Sequence, residues 1–148
     1  MENPPAVIFR HVDEALKHLV GPRLFTILAS TDDAAYVKRV YSSNEESYPL
    51  SARKKMGVTP WGDLVLRKQN TFVGNDSQAI RWAFPDHDLI QSLGLEAVIN
   101  APVVLSGRTL GSVSLLDSAQ SYMSDEQLKT VLLFMPLLIP ALQEGGKG

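Results

Sequence analysis

The sequence predicts an α+β fold, an antiparallel sheet of about six strands with helices on both faces. Three observations carry this expectation. Ala97 to Asp117, AVINAPVVLSGRTLGSVSLLD, is two apolar runs of strand length joined by Ser106-Gly107. A two-residue loop ending in glycine is a hairpin signal, because glycine supplies the positive φ that primed turns need. Apolar residues recur at helical spacing near the start of the chain, at Ile8, Val12, Leu16 and Leu19, and an apolar helical stretch follows Ser124. The remaining strand-like runs form a second meandering pair, with helix-like segments between the pairs.

In order along the chain, Asn3 to Leu19 reads as a helix, with Asn3 as a cap, Pro4 and Pro5 in its first turn and Gly21-Pro22 as its stop. Leu24 to Ser30 and Ala35 to Ser42 read as a hairpin turning at Thr31-Asp32-Asp33. Tyr48 to Met56, with Pro49 and a basic run, suits an edge strand. Thr59 can cap a helix that runs from Pro60 to about Gln69. Thr71-Phe72-Val73 is a minimal strand, and helices follow near Gln78 to Phe84 and from Asp86 to Gly94. Ser124 and Gln127 have capping-box spacing, with Met123 and Leu128 placed as a hydrophobic staple. Pro136 and Pro140 should kink the last helix, since each removes a backbone donor. The Gly-Gly-Lys-Gly end is a loose tail. The chain reads as one domain over 1–148: a helix to 21, sheet and middle helices over 24–118, and a helix over 124–143.

With Ser106-Gly107 as the loop, Leu105 pairs with Arg108, Val103 with Leu110, Ala101 with Ser112 and Ile99 with Ser114. That puts small side chains on one face of the hairpin, leaving room for something to lie there. Neither face is polar enough to meet water, so the hairpin belongs inside a sheet covered on both sides. The terminal helices are expected over the aliphatic face and the middle helices over the small-residue face.

INAPVVLSGRTLGSVSLLD followed by SYMSDEQL resembles the C-terminal half of a GAF domain, in which an Asn-x-Pro-Val strand, a tight turn, a Leu-Gly-x-hydrophobic strand and a final helix recur in this order. The resemblance extends back to about Leu24. It implies the architecture already read from the residues, and a small-molecule sensing and dimerisation role. GAF domains carry many unrelated ligands, so the fold is more legible than the ligand. The chain also departs from known subgroups. It has no cysteine, which the resemblance requires for covalent tetrapyrrole attachment and for reduction of free methionine sulfoxide. The Asn-Lys-Phe-Asp type motif of cyclic-nucleotide binders is missing, and His87 is the only pocket residue that could serve a haem.

Composition narrows the function further. The net charge of −2 argues against non-specific nucleic-acid binding, which needs a basic surface. Absence of cysteine removes disulfides, thiolate metal sites and cysteine catalysis, and is compatible with a cytoplasmic setting. The N-terminus has no basic and apolar signal pattern, and no apolar stretch reaches membrane-spanning length. Gly-x-Ser-x-Gly, phosphate-loop and dinucleotide patterns are absent, and no cofactor is expected.

Trp61 to His87 is the richest stretch. Trp61, Phe72, Trp82 and Phe84 stand beside Asp76, Arg81, Asp86 and His87, aromatic walls with a few polar groups. The GAF resemblance places a ligand between these middle helices and the sheet, with Ile99, Ser112 and Ser114 beneath it. The competing account makes the aromatics core and pairs Arg81 with Asp76 or Asp86. For Asp86-His87-Asp88, a helix start is favoured over a metal site. An enzyme would have to use His87, Asp86 and Asp76.

The last helix is apolar nearly all round from Val131 to Leu142, more than one sheet face can cover. The excess points to a homodimer in which Phe134, Leu137 and Leu138, joined by Phe9 and Val20 of the first helix, pack on their copies. The expected function is a cytoplasmic, non-enzymatic, homodimeric regulatory domain binding a small organic ligand. The alternative is a scaffold with a filled pocket.

Overall fold

A computed structural model describes residues 4–31, 33–121 and 124–145. The expected cap at Asn3, the staple at Met123, Asp32 of the first turn and Gly146 to Gly148 of the tail lie outside the described residues.

The helix α1 (Pro4–Leu19) is followed by β1 (Leu24–Ser30), β2 (Tyr36–Ser42) and β3 (Lys54–Lys55). A π-helical turn (Gly62–Arg67), β4 (Phe72–Gly74), α2 (Ser77–Ala83) and α3 (His87–Ser92) come next. The long hairpin β5 (Ala97–Leu105) and β6 (Arg108–Asp117) leads to α4 (Asp125–Phe134), a 3₁₀ turn (Met135–Leu138) and α5 (Ile139–Gly145). The six strands form one antiparallel sheet in the order β3-β2-β1-β6-β5-β4, so the hairpin is central, as expected.

Local chemistry accounts for most element ends. Ser106 and Gly107 both take positive φ, +50° and +78°, which is the primed turn that matches strand twist. Ser124 accepts a hydrogen bond from the Glu126 N–H (3.1 Å), and Gln127 Oε1 accepts one from the Ser124 N–H (3.2 Å). That closes the capping box. Pro136 falls where α4 tightens into the 3₁₀ turn and Pro140 where α5 begins, so the expected kink is a double break. Thr59 caps the segment after it, its Oγ1 accepting from the Gly62 N–H (3.0 Å), but the helix is wound as a π-turn rather than an α-helix. The expected edge strand over Tyr48 to Met56 reduces to Lys54–Lys55, and Tyr48 is instead buried under the sheet with Leu24, Ile80 and Ile90.

The hairpin register departs from the simple expectation. Leu105 pairs with Arg108 and Val104 with Thr109, but Val103 then pairs with Gly111, Pro102 with Ser112, Ala101 with Val113, Asn100 with Ser114 and Ile99 with Leu115. One extra residue, Leu110, is taken up in a bulge. A shift of one residue sends every later side chain on that strand to the opposite face. Gly111 permits the bulge to sit against β1: a Cβ there would lie 2.1 Å from the Leu28 carbonyl oxygen.

The bulge assigns the two faces. Ile99, Ala101, Val103, Val113 and Leu115 meet Phe9, Leu16, Val131, Met135 and Leu138 of the terminal helices in one core. Ile99 and Ala101 therefore belong to this core and not to the face of Ser112 and Ser114. The other face is covered by the π-turn, α2 and α3, with Val65, Leu66, Ile80 and Ala83 buried against it. No helix among the described residues is long and apolar enough to cross a membrane.

Candidate functional site

The space between the sheet and the middle helices is occupied by a chain of hydrogen-bonded side chains. Thr59 and Pro60 start the turn that carries Trp61 inward, leaving it 6% exposed. Its indole N–H donates to Asn100 Oδ1 at 3.1 Å. Asn100, fully buried in β5, donates from Nδ2 to Ser114 Oγ at 2.6 Å across the β5–β6 pair. Phe84 stands against Trp61 with ring centroids 6.4 Å apart, and Val65, Leu66 and Ala83 close the same cluster. Ser112 lies two pairs further along on the same face, buried, its hydroxyl without a partner among the described residues. Below it Thr109 Oγ1 donates to the Leu66 carbonyl (2.7 Å), and Gln69 Nε2 donates to Gly107 O (2.9 Å) and Thr109 Oγ1 (3.1 Å). These bonds stitch the π-turn to the hairpin.

The remaining candidates are not gathered here. Trp82 points outward, 45% exposed, against Phe72 at 5.0 Å between ring centroids, so the two indoles do not share a cavity. Asp76 is the cap of α2, its Oδ1 accepting from the Ala79 N–H at 2.9 Å, and it is exposed. Arg81 is exposed and makes no ion pair among the described residues, so the pairing with Asp76 or Asp86 does not form. Asp86 does not cap α3 through its side chain, and its carboxylate accepts from the Tyr48 hydroxyl. Burial, and then this bond, push the Tyr48 phenol well above its ordinary pKa. The Arg39 guanidinium lies 4.4 Å over the same ring. His87 Nδ1 comes within 3.3 Å of the exposed Asp88 carboxylate but is too poorly aligned to hydrogen-bond it. Ile99 lies on the other side of the sheet, in the core under the terminal helices.

Asp76, Asp86 and His87 thus have separate engagements rather than one shared centre. Among the described residues no group of three or more His, Cys, Asp or Glu side chains could hold a metal ion. Phe9 and Leu138, expected at a dimer seam, are buried inside the chain (2% and 0% exposed) because α1 and the 3₁₀ turn pack them onto Phe25 and Leu115. Phe134 and Val20 are half-buried against the same core, and Leu137 is exposed.

Sequence reasoning left Asn100 out of the site although it is its central residue. The signal was present: a carboxamide in the middle of an apolar strand needs partners, because a buried unpaired amide is costly. Tyr48 had no such signal, since its partner Asp86 is 38 residues away.

No protein-family model matches the chain, and no curated protein matches it at a significant level. Solved structures do. The GAF domain of a two-component sensor histidine kinase from Bacillus halodurans superimposes with a TM-score of 0.76 at 14% identity, covering 95% of this chain and 94% of that one. The type II free methionine-R-sulfoxide reductase from Thermoplasma acidophilum gives 0.71 at 14% identity, with 95% and 93% covered. The second GAF domain of DevS from Mycobacterium smegmatis gives 0.66 at 15% identity, with 96% and 95% covered. The chain has the GAF fold. At these identities the likeness defines the fold alone, and sensor proteins and a reductase stand side by side among the neighbours.

Proposed function

We propose that the chain is a non-catalytic regulatory module, one folded unit over 1–148, that works in the cytoplasm as a homodimer. The observation that carries this reading is the apolar row left uncovered on the C-terminal helices. Leu132, Leu133 and Leu137 are 41%, 76% and 56% exposed, while Val131, Met135 and Leu138 on the inner side are buried. Folded chains rarely leave such a row in water, and a two-fold contact between copies is the commonest way to cover one. Phe134 and Val20, half-buried against the core beneath, are assigned to the same seam in this reading. The interior under the middle helices, filled by Trp61 and tied to Asn100 and Ser114, supports a scaffold role over a standing ligand pocket.

A second reading has its own observation. Among the described residues the buried Ser112 hydroxyl has no partner near the Asn100–Ser114 bond, a polar group that a small organic ligand could satisfy once Trp61 moves aside. Native mass spectrometry of the purified chain tests both, since it reports the subunit count and any retained small molecule together. A dimer without ligand supports the scaffold, and a dimer with ligand supports the sensor. A single-chain mass at micromolar concentration overturns the homodimer. Leu137→Glu is expected to give a folded monomer, because a charge buried at the contact is expensive while the same charge on one exposed turn is not.

A further inference from the structure

We propose that the open edge of the sheet at β3 is a docking site for an extended, acidic segment of a protein partner. This surface is separate from the helical face proposed for self-association. Residues 51–56 run along β2 as its outer neighbour. The Ser51 N–H donates to Arg39 O (3.2 Å), Lys54 and Lys55 pair with Val37 and Tyr36, and the Met56 N–H donates to Ala35 O (2.8 Å). β3 ends the strand order, so among the described residues no strand lies on its far side.

Cations converge on one side of this edge. Lys55 pairs with Tyr36, and two residues along each strand Arg53 and Lys38 share that face and line one shallow, solvent-open hollow. The Arg53 guanidinium is held 4.5 Å over the Tyr36 ring. Among the described residues none of Lys38, Arg53, Lys54 or Lys55 has an ion-pair partner. Asp33 in the adjoining turn is already engaged, accepting from the Thr31 hydroxyl (2.7 Å) and the Ala35 N–H (3.0 Å). These bonds hold its carboxyl below the ordinary range. Like charges opposed across two strands destabilise a sheet. Here they stand unneutralised in a chain whose net charge is −2. A bound anion removes that repulsion.

Three features select an acidic peptide over a free anion or a nucleic acid. Arg53 and Lys55 are alternate residues, about 6.6 Å apart along the strand, the repeat at which an extended peptide presents side chains to one face. The open edge offers backbone hydrogen bonds to an added strand. Leu50 and Val58, 47% and 83% exposed, flank the segment with apolar contacts that a bare polyanion does not use. Edge lysines also discourage strand addition. That role calls for neither an arginine fixed against Tyr36 nor a β2 lysine turned to the same side.

The test is a fluorescence anisotropy titration of the full chain with a labelled synthetic peptide of about ten residues, Glu at alternate positions among Val and Thr. Saturable binding is expected. Substituting Gln for every Glu in the peptide, or Arg53→Glu or Lys38→Glu in the chain, should weaken it by roughly tenfold or more. Lys54→Glu, the same charge change on the opposite face, should stay within about twofold. No saturation at millimolar peptide would overturn the proposal. So would equally tight binding of single-stranded oligothymidylate, or an equal loss with Lys54→Glu. A second measurement checks the repulsion itself: Lys38→Gln should raise the thermal midpoint, and a lowered midpoint would contradict the like-charge argument.

Discussion

Under the terminal helices the sheet presents Phe25, Ile27, Ile99, Val113 and Leu115 to Phe9, Leu16, Val131 and Leu138. Under the middle helices the same strands present Thr26, Asn100, Thr109, Ser112 and Ser114. Both layers are buried, but they cohere differently. The first is held by apolar burial, which is non-directional and tolerates exchange of one aliphatic residue for another of similar volume. The second also buries apolar side chains such as Leu24, Ile80, Val98 and Leu116, and adds side-chain hydrogen bonds running from Trp61 through Asn100 to Ser114, and from Thr109 to Leu66. Such a network specifies one arrangement and costs stability when one member is lost. The second layer can rearrange by exchanging its bonds for others, which the first cannot do.

The largest expected effect comes from the residue that separates the layers. A Cβ at Gly111 would lie 2.1 Å from Leu28 O, a backbone atom of the neighbouring central strand that cannot step aside. Gly111→Val should destabilise the chain by roughly 3 kcal/mol or leave it unfolded, as overpacking of a strand interior does. If the variant folds, β6 has slipped, and Ser112 and Ser114 have changed faces. Urea unfolding followed by Trp61 fluorescence measures the first outcome. An unchanged midpoint would mean that the bulge does not set the register.

That bulge is also where the sequence stopped being legible. Hydropathy, turn residues and capping pairs located five of the six strands and the helices to within a few residues, because each signal is local: Ser106-Gly107 for the turn, Ser124 and Gln127 for the last helix. The assignment of residues to faces was not local. It depends on Leu110 dropping out of the ladder, which β1 decides through its contact with Gly111. Counting outward from the turn therefore put Ile99 and Ser114 on one face, and Asn100, the residue that holds Trp61, on the other. The short β3 failed for a related reason: Tyr48 reads as a strand residue until Asp86, far along the chain, draws it into the core.

A cut inside the polar layer should cost less than one at the bulge. Asn100→Ala removes the acceptor of the Trp61 N–H and a donor to Ser114 Oγ together. Leaving buried polar groups unpaired should destabilise by about 2 kcal/mol. The contrast with the dry layer can be read from Ile99→Val next to it, which should cost about 1 kcal/mol and leave the Trp61 environment intact. Near-ultraviolet circular dichroism of the two variants separates them: the Asn100 variant should lose Trp61 signal and the Ile99 variant should keep it. Equal spectra would mean that the hydrogen bond does not fix the indole.

The smallest effect tests whether the dry layer owes its helix to the sheet or to local chemistry. α4 begins at a complete capping box, and Val131 on α4 and Met135 in the 3₁₀ turn reach the core from it. Ser124→Ala removes the acceptor for the Glu126 N–H, one of the free donors at the helix start, and should cost about 1 kcal/mol. The Gln127 side chain still holds the backbone N–H of residue 124, so the helix should fray by a turn rather than detach. Denaturant midpoints and amide exchange over 124–130 report this together. If the midpoint falls while exchange stays slow at the helix start, the loss lies elsewhere and the cap is not what orders α4. If neither changes, the sheet alone holds the helix in place, and the terminal layer depends on apolar burial with no local help.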